Sequence, residues 1–150
     1  MDLALRGRQI EKKVFGVSFA PGKPEYHFGG TNTELYTKPI QFHQVLRPSL
    51  DRHAEPVLTD WLLGNARVYV GDSGSPVLSG LETIISTDSL LTWGPRAEVE
   101  AIYGQIEGSQ KFNDKGLKKE GFDVFYEFPC STKPKVKLSW DNEEPWPYLG

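Results

Sequence analysis

The chain is poor in cysteine and methionine, carries no excess of basic residues, and contains no long apolar run. Cys130 is the single cysteine among 150 residues, so no disulfide forms within the chain. Nothing near Cys130 supplies a histidine or lysine aimed at it in sequence, and the expectation is a buried, inert thiol. No stretch approaches the about 20 apolar residues of a membrane-spanning helix. Met1 to Lys13 alternates charge with small apolar residues and has neither an apolar core segment nor a small-residue cleavage site, so no export signal is expected there. Lysine and arginine number 17 against 20 acids, giving a net charge of −3. No window interleaves clustered cations with stacking aromatics, so neither nucleic acid nor a membrane surface is an expected partner. The densest basic stretch, Lys111 to Lys119, is broken by Asn113, Asp114 and Gly116 and reads as a solvated loop. His27, His43 and His53 have no metal-ligand spacing and no cysteine partner, so no metal and no cofactor are expected.

Glycine and proline, 15 and 11 residues, are frequent and scattered, and they cut the chain into short segments. Several of these are rich in β-branched and aromatic residues: Lys13–Phe19, Glu25–Phe28, Ile40–Leu46, Trp61–Val70, Thr83–Ser86, Asp123–Phe128 and Lys135–Trp140. In the last, Val136, Leu138 and Trp140 alternate with Lys135, Lys137 and Ser139, which predicts one apolar and one polar face. Short strands at this spacing argue for a mainly β protein. One helix interrupts them. Pro95 suits a first helical turn, Glu98 lies near the positive end of the dipole, and Val99, Ile102, Tyr103 and Ile106 recur at helical spacing before Gly108. The first dozen residues allow a second, shorter helix. Pro48–Pro56 reads as a polar loop. The expected organisation is a single β domain over residues 1–140 with an extended or disordered tail over 141–150, from which Trp146 and Tyr148 pack onto the body or mark a partner contact.

Gly71-Asp72-Ser73-Gly74-Ser75-Pro76 has the look of a serine-protease nucleophile turn. That chemistry needs a histidine base on the serine oxygen and a buried acid orienting the histidine. His43 or His53 would be the base and Asp51 or Asp60 the orienter. His43 precedes Ser73 by a few strands only, too little chain for the two barrels that separate these groups in chymotrypsin-like enzymes. A Gly/Asp/Ser cluster between two apolar strands is also what a plain β-turn requires, and the turn is the expected reading.

Three collinear blocks together resemble a pepsin-family (A1) aspartic protease. The first runs Val14-Phe15-Gly16-Val17-Ser18-Phe19, then Phe28-Gly29-Gly30-Thr31-Asn32 and Leu35-Tyr36-Thr37. It is similar to the family's strand, "F-G-G", polar pair and "Y-T-G" at the junction of its two lobes. The second is Trp61 through Val70, a turn, and Glu82-Thr83-Ile84-Ile85-Ser86-Thr87-Asp88-Ser89-Leu90-Leu91, similar to the strand, hairpin and second Asp-Thr-Gly motif of the family. The third is the helix around Glu98–Gln105, then Phe128-Pro129-Cys130 and Pro134-Lys135-Val136-Lys137-Leu138. The resemblance implies an incomplete pepsin-like lobe with one amphipathic helix. The first lobe, with its own Asp-Thr-Gly, has no counterpart here, and neither does the segment whose cysteine would pair with Cys130. It also implies a secreted or vacuolar ancestor.

In that family two carboxylates, one from each lobe, share a proton, because like charges at about 3 Å cannot both ionise. One activates water while the other protonates the substrate carbonyl. In this chain the aspartate position is Ser86, Thr87 is retained, the glycine position is Asp88, and Ser89 follows. A serine hydroxyl holds no proton equilibrium in the acid range. The expectation is therefore no catalytic residue at Ser86–Ser89, and a non-catalytic binding protein that associates with itself or with a protein or peptide partner. The rival expectation is an aspartic endopeptidase active only as a dimer or with a partner lobe. Asp72-Ser73-Gly74 is then its formal signature, with Asp72 as the acid; a serine hydrolase would use Ser73 instead.

Overall fold

A computed structural model describes residues 10, 12–19, 22, 24–37, 39–46, 60–87, 91–112 and 124–146. The first dozen residues, apart from residues 10 and 12, lie outside this set, as do the 48–56 loop, His53, Asp51, Asp88, Ser89 and Tyr148. The chain forms two compact units, residues 1–41 and 42–150. It is mainly β, as its sequence predicts.

In the first unit, strands β1 (Phe15–Ser18) and β2 (Glu25–Phe28) form an antiparallel hairpin with Phe15 opposite Phe28 and Ser18 opposite Glu25. The Gly29 amide donates to the Val14 carbonyl at 2.7 Å and extends the ladder by one bond. Gly22, in the connection, has φ +78°, a conformation that glycine adopts without a Cβ penalty. The chain then makes a single 3-10 turn at Thr33–Leu35, with the Asn32 side chain accepting from the Glu34 amide at 3.0 Å.

The second unit is built on β3 (Trp61–Val70), which lies between β4 (Leu78–Ile85) and β7 (Val136–Ser139) in an antiparallel sheet. Val68, Tyr69 and Val70 are all buried although they alternate in direction, so this part of the sheet is covered on both faces. This overturns one expectation for β7. Ser139, assigned by alternation to a polar face, is fully buried, because it pairs with Arg67 beside that doubly covered stretch. Ala66, Ile106 and Trp140 complete the small core.

Two bulges interrupt β3–β4. Between the pairs Leu63–Thr83 and Ala66–Leu81, β3 carries an extra residue; between Ala66–Leu81 and Val68–Leu78, β4 does. Asn65, at φ 55°, and Gly80, at φ 72°, supply the left-handed backbone these irregularities need.

The helix α1 spans Arg96–Tyr103, with Pro95 at its N-cap and Glu98 in its first turn. It stops before the apolar repeat does: Gly104 forms the C-cap, and Ile106 reaches the core from the following turn. Beyond it, β5 (Gln110–Phe112) pairs with β6 (Phe125–Glu127). Lys111 thus belongs to a strand, not to the expected loop, because its ammonium reaches Glu100 on the helix while Phe112 pairs with Phe125. The predicted strand at Ile40–Leu46 is also corrected. Only Val45 bridges, to Leu63, because β7 occupies the same edge of β3 from Arg67 onward. Cys130 is exposed, not buried as expected, because it sits in a turn between β6 and β7, where the Thr132 amide bonds back to the Pro129 carbonyl at 2.8 Å.

Candidate functional site

Trp61 and Ile85 face each other where β3 begins and β4 ends, and the chain leaves the sheet at Ser86. Ser86 and Thr87 are exposed just beyond the strand. Asp88 and Ser89 lie outside the described residues. Apolar side chains crowd this end: Trp61 is 54% exposed and Ile84 57%, and because Ile84 and Ile85 point to opposite faces, both faces are uncovered here. The hydroxyl of Ser86 is polar but holds no ionisable proton near neutral or acid pH, so it cannot serve as half of a carboxylate pair.

Asp72, Ser73 and Gly74 occupy the β3–β4 turn, at the far end of the hairpin from Ser86. The turn is closed by the Val77 amide donating to the Val68 carbonyl at 2.7 Å. Lys135 donates to both oxygens of Asp72, each at 2.9 Å. That hydrogen bond and the lysine's charge hold the Asp72 carboxyl below the usual carboxylate range. Ser73 is committed locally: its hydroxyl donates to the Ser75 carbonyl at 3.2 Å and accepts from the Ser75 amide at 3.1 Å.

The structure does not bring His43 to Ser73. His43 stands beside Val45, which bridges Leu63, whereas Ser73 follows Val70. The intervening strand is about 20 Å long. His43 instead meets Asp141: Nδ1 lies 3.2 Å from Oδ2, and its ring tilts against Trp140 at 5.6 Å between centroids. Trp140 Nε1 in turn donates to Thr83 Oγ1 at 2.9 Å. Asn65 Nδ2 reaches the other oxygen of Asp141 at 3.4 Å, and Arg67 bonds to Asn142. Asn65, Arg67, Asp141 and Asn142, with Ser79 and Gly80, border a pocket of about 390 Å³. Asp141 and Asn142 have φ 52° and 64°, and the Glu143 amide donates to the Trp140 carbonyl at 2.9 Å, as in a type I′ turn. The turn returns the chain so that Trp146 bridges Leu138.

This polar cluster was not foreseen from sequence. Asp141-Asn142 after an alternating strand is a recognisable turn signal, but nothing local to His43 marks its partner 98 residues away. Of the other serine-hydrolase candidates, Asp60 is exposed just before β3, while His53 and Asp51 lie outside the described residues. No group of three or more possible metal ligands occurs among the described residues.

The chain is 31% identical to an aspartic protease of Phaffia rhodozyma over 133 residues, 87% of this chain and 29% of that protein. It is 26% identical to the major aspartyl peptidase 1 of Cryptococcus neoformans var. grubii over 113 residues, 75% of this chain and 22% of the other. The chain is related to aspartic proteases. It spans less than a third of the length of either curated relative. No protein-family model matches it, and no solved structure gives a significant match.

Proposed function

We propose that this chain is a non-catalytic binding protein derived from a pepsin-like aspartic protease lobe. The observation that carries the reading is Ser86, a hydroxyl at the end of β4 where the resemblance calls for a carboxyl, flanked by uncovered apolar residues. Dyad chemistry requires two carboxylates and one shared proton. Trp61, Ile84 and Ile85 expose an apolar end of the sheet of the kind that marks contact surfaces, which supports burial against a partner or a second copy.

The experiment is acid digestion of denatured globin by the purified chain, together with its Ser86→Asp variant and sedimentation at micromolar concentration. Neither protein cleaves globin in a pepstatin-sensitive way, since Ser86→Asp still leaves Asp88 at the position where the motif needs glycine, and the wild type sediments above its monomer mass or binds an apolar dye. A clean monomer without dye binding counts against the partner reading.

The second reading is an aspartic endopeptidase that needs a dimer or partner lobe, with Asp72 as its acid. It is favoured by the kinship with the two fungal proteases and by the Asp72-Ser73-Gly74 tripeptide. Pepstatin-sensitive cleavage lost in Asp72→Asn would establish it over the first.

A further inference from the structure

The first unit contains a pocket of about 360 Å³ that none of the preceding chemistry uses. Val17, Phe19, Leu35 and Ile40 line it with apolar surface, and Glu25 stands among them with Asn32. Apolar walls with a few fixed polar groups are the usual make-up of a ligand site. The Glu25 carboxylate is held in place: the Asn32 side-chain amide donates to both of its oxygens, at 3.1 and 3.3 Å, and His27 Nδ1 lies 3.4 Å from one of them. Asn32 is itself fixed, because its own oxygen caps the 3-10 turn.

The amide orients the carboxylate without neutralising it. Among the described residues no lysine or arginine pairs with Glu25. Its side chain is 35% exposed, so the charge is reachable, and Phe19 and Ile40 beside it are themselves exposed apolar groups. An ammonium offers three donors to an acceptor-only carboxylate, and its alkyl stem matches the apolar walls.

We propose that this pocket binds a peptide lysine flanked by apolar residues, with the ammonium on Glu25 and the neighbouring side chain against Val17, Leu35 and Ile40. The proposal rests on the reading of the chain as a peptide- or protein-binding protein and names the partner chemistry of one site.

The test is an amide NMR titration of the full chain at pH 7.5 with acetyl-Leu-Lys-Leu-amide, with the same peptide bearing norleucine for lysine, and with n-butylamine. The lysine peptide shifts the amides of Gly16, Gly30 and Thr31. The norleucine peptide binds about five- to ten-fold more weakly, as loss of a partly exposed charge-assisted contact requires. Glu25→Gln weakens the lysine peptide equally, and Ile40→Ala, which touches no hydrogen bond of the carboxylate, weakens both peptides. n-Butylamine binds more weakly than the peptide; equal binding shows a site for free amines and overturns the peptide assignment. Equal affinity of the two peptides, no effect of Glu25→Gln in a protein whose spectrum is otherwise unchanged, or no shifts at all would overturn the proposal. Cleavage of the peptide during the titration, seen as new terminal resonances, would instead sink the non-catalytic reading and leave the pocket standing.

Discussion

His43 and Asp141 join the segment before β3 to the turn after β7 through a contact of 3.2 Å between residues 98 apart in sequence. The imidazole is 11% exposed and the carboxylate 47%, so the histidine contributes by packing on Trp140 and the aspartate contributes mainly orientation. His43→Ala should therefore destabilise the protein by about 1–2 kcal/mol, in the usual range for removing a packed, hydrogen-bonded side chain. Asp141→Asn, which keeps the turn's tolerance of positive φ, should cost below about 1 kcal/mol, as half-exposed ion pairs do. Urea unfolding of the two variants decides this. A larger loss for Asp141→Asn than for His43→Ala would mean that the charge, not the packing, holds the segment.

The Asp72–Lys135 pair sets a pH dependence whose sign is fixed by its cause. The Asp72 carboxyl is held below its ordinary range by the lysine, so the unfolded chain takes up this proton first as pH falls. The pair's contribution is thus complete above the ordinary carboxylate range, about pH 4, and is lost as pH drops through the depressed folded value. Lys135→Met should return Asp72 to the ordinary range in a carboxyl-detected NMR titration and remove that part of the acid sensitivity. A wild-type Asp72 titrating above its ordinary range would contradict the pairing, and it is what a proton-sharing acid would show.

The two β3–β4 bulges predict a sharp contrast at Asn65. With φ at 55°, the position accepts glycine or asparagine and resists β-branched side chains. Asn65→Gly should fall within about 0.5 kcal/mol of wild type, with only the long contact to Asp141 lost. Asn65→Val should cost about 1–3 kcal/mol, the range for a residue forced into a sparsely populated backbone region. Thermal melts of the two variants measure the difference, and equal melting temperatures would show that the bulge rearranges at no cost.

Much of the architecture was legible because it is local. The turn at Gly71–Pro76, the strand at Trp61–Val70 and the helix beginning after Pro95 follow from turn chemistry, β-branched runs and helical spacing, and all three are present. What failed depended on tertiary cover. Ser139 is buried because its neighbours on β3 are covered on both faces, which alternation within one strand does not reveal. The Ile40–Leu46 segment had strand composition, but its available edge was taken by a strand from nearly a hundred residues later. The candidate motifs were equally uneven. The Asp72–Ser73 turn could be assigned from its residues, whereas the partners of Asp72 and His43 come from the 135–142 region and carry no sequence mark.

The paired bulges also carry a consequence for how this hairpin tolerates length changes. Each one alone shifts the strand phase by a residue and exchanges inward for outward side chains on everything beyond it. Because one lies on each strand, the shifts cancel, and the Trp61–Ile85 end stays in step with the end where buried Val68 pairs with Leu78. The hairpin therefore obeys a parity rule. Losing Asn65 or Gly80 alone puts the Ser86 end out of phase with the core, while losing both restores it, so loop-length variation here survives only when the two strands change together.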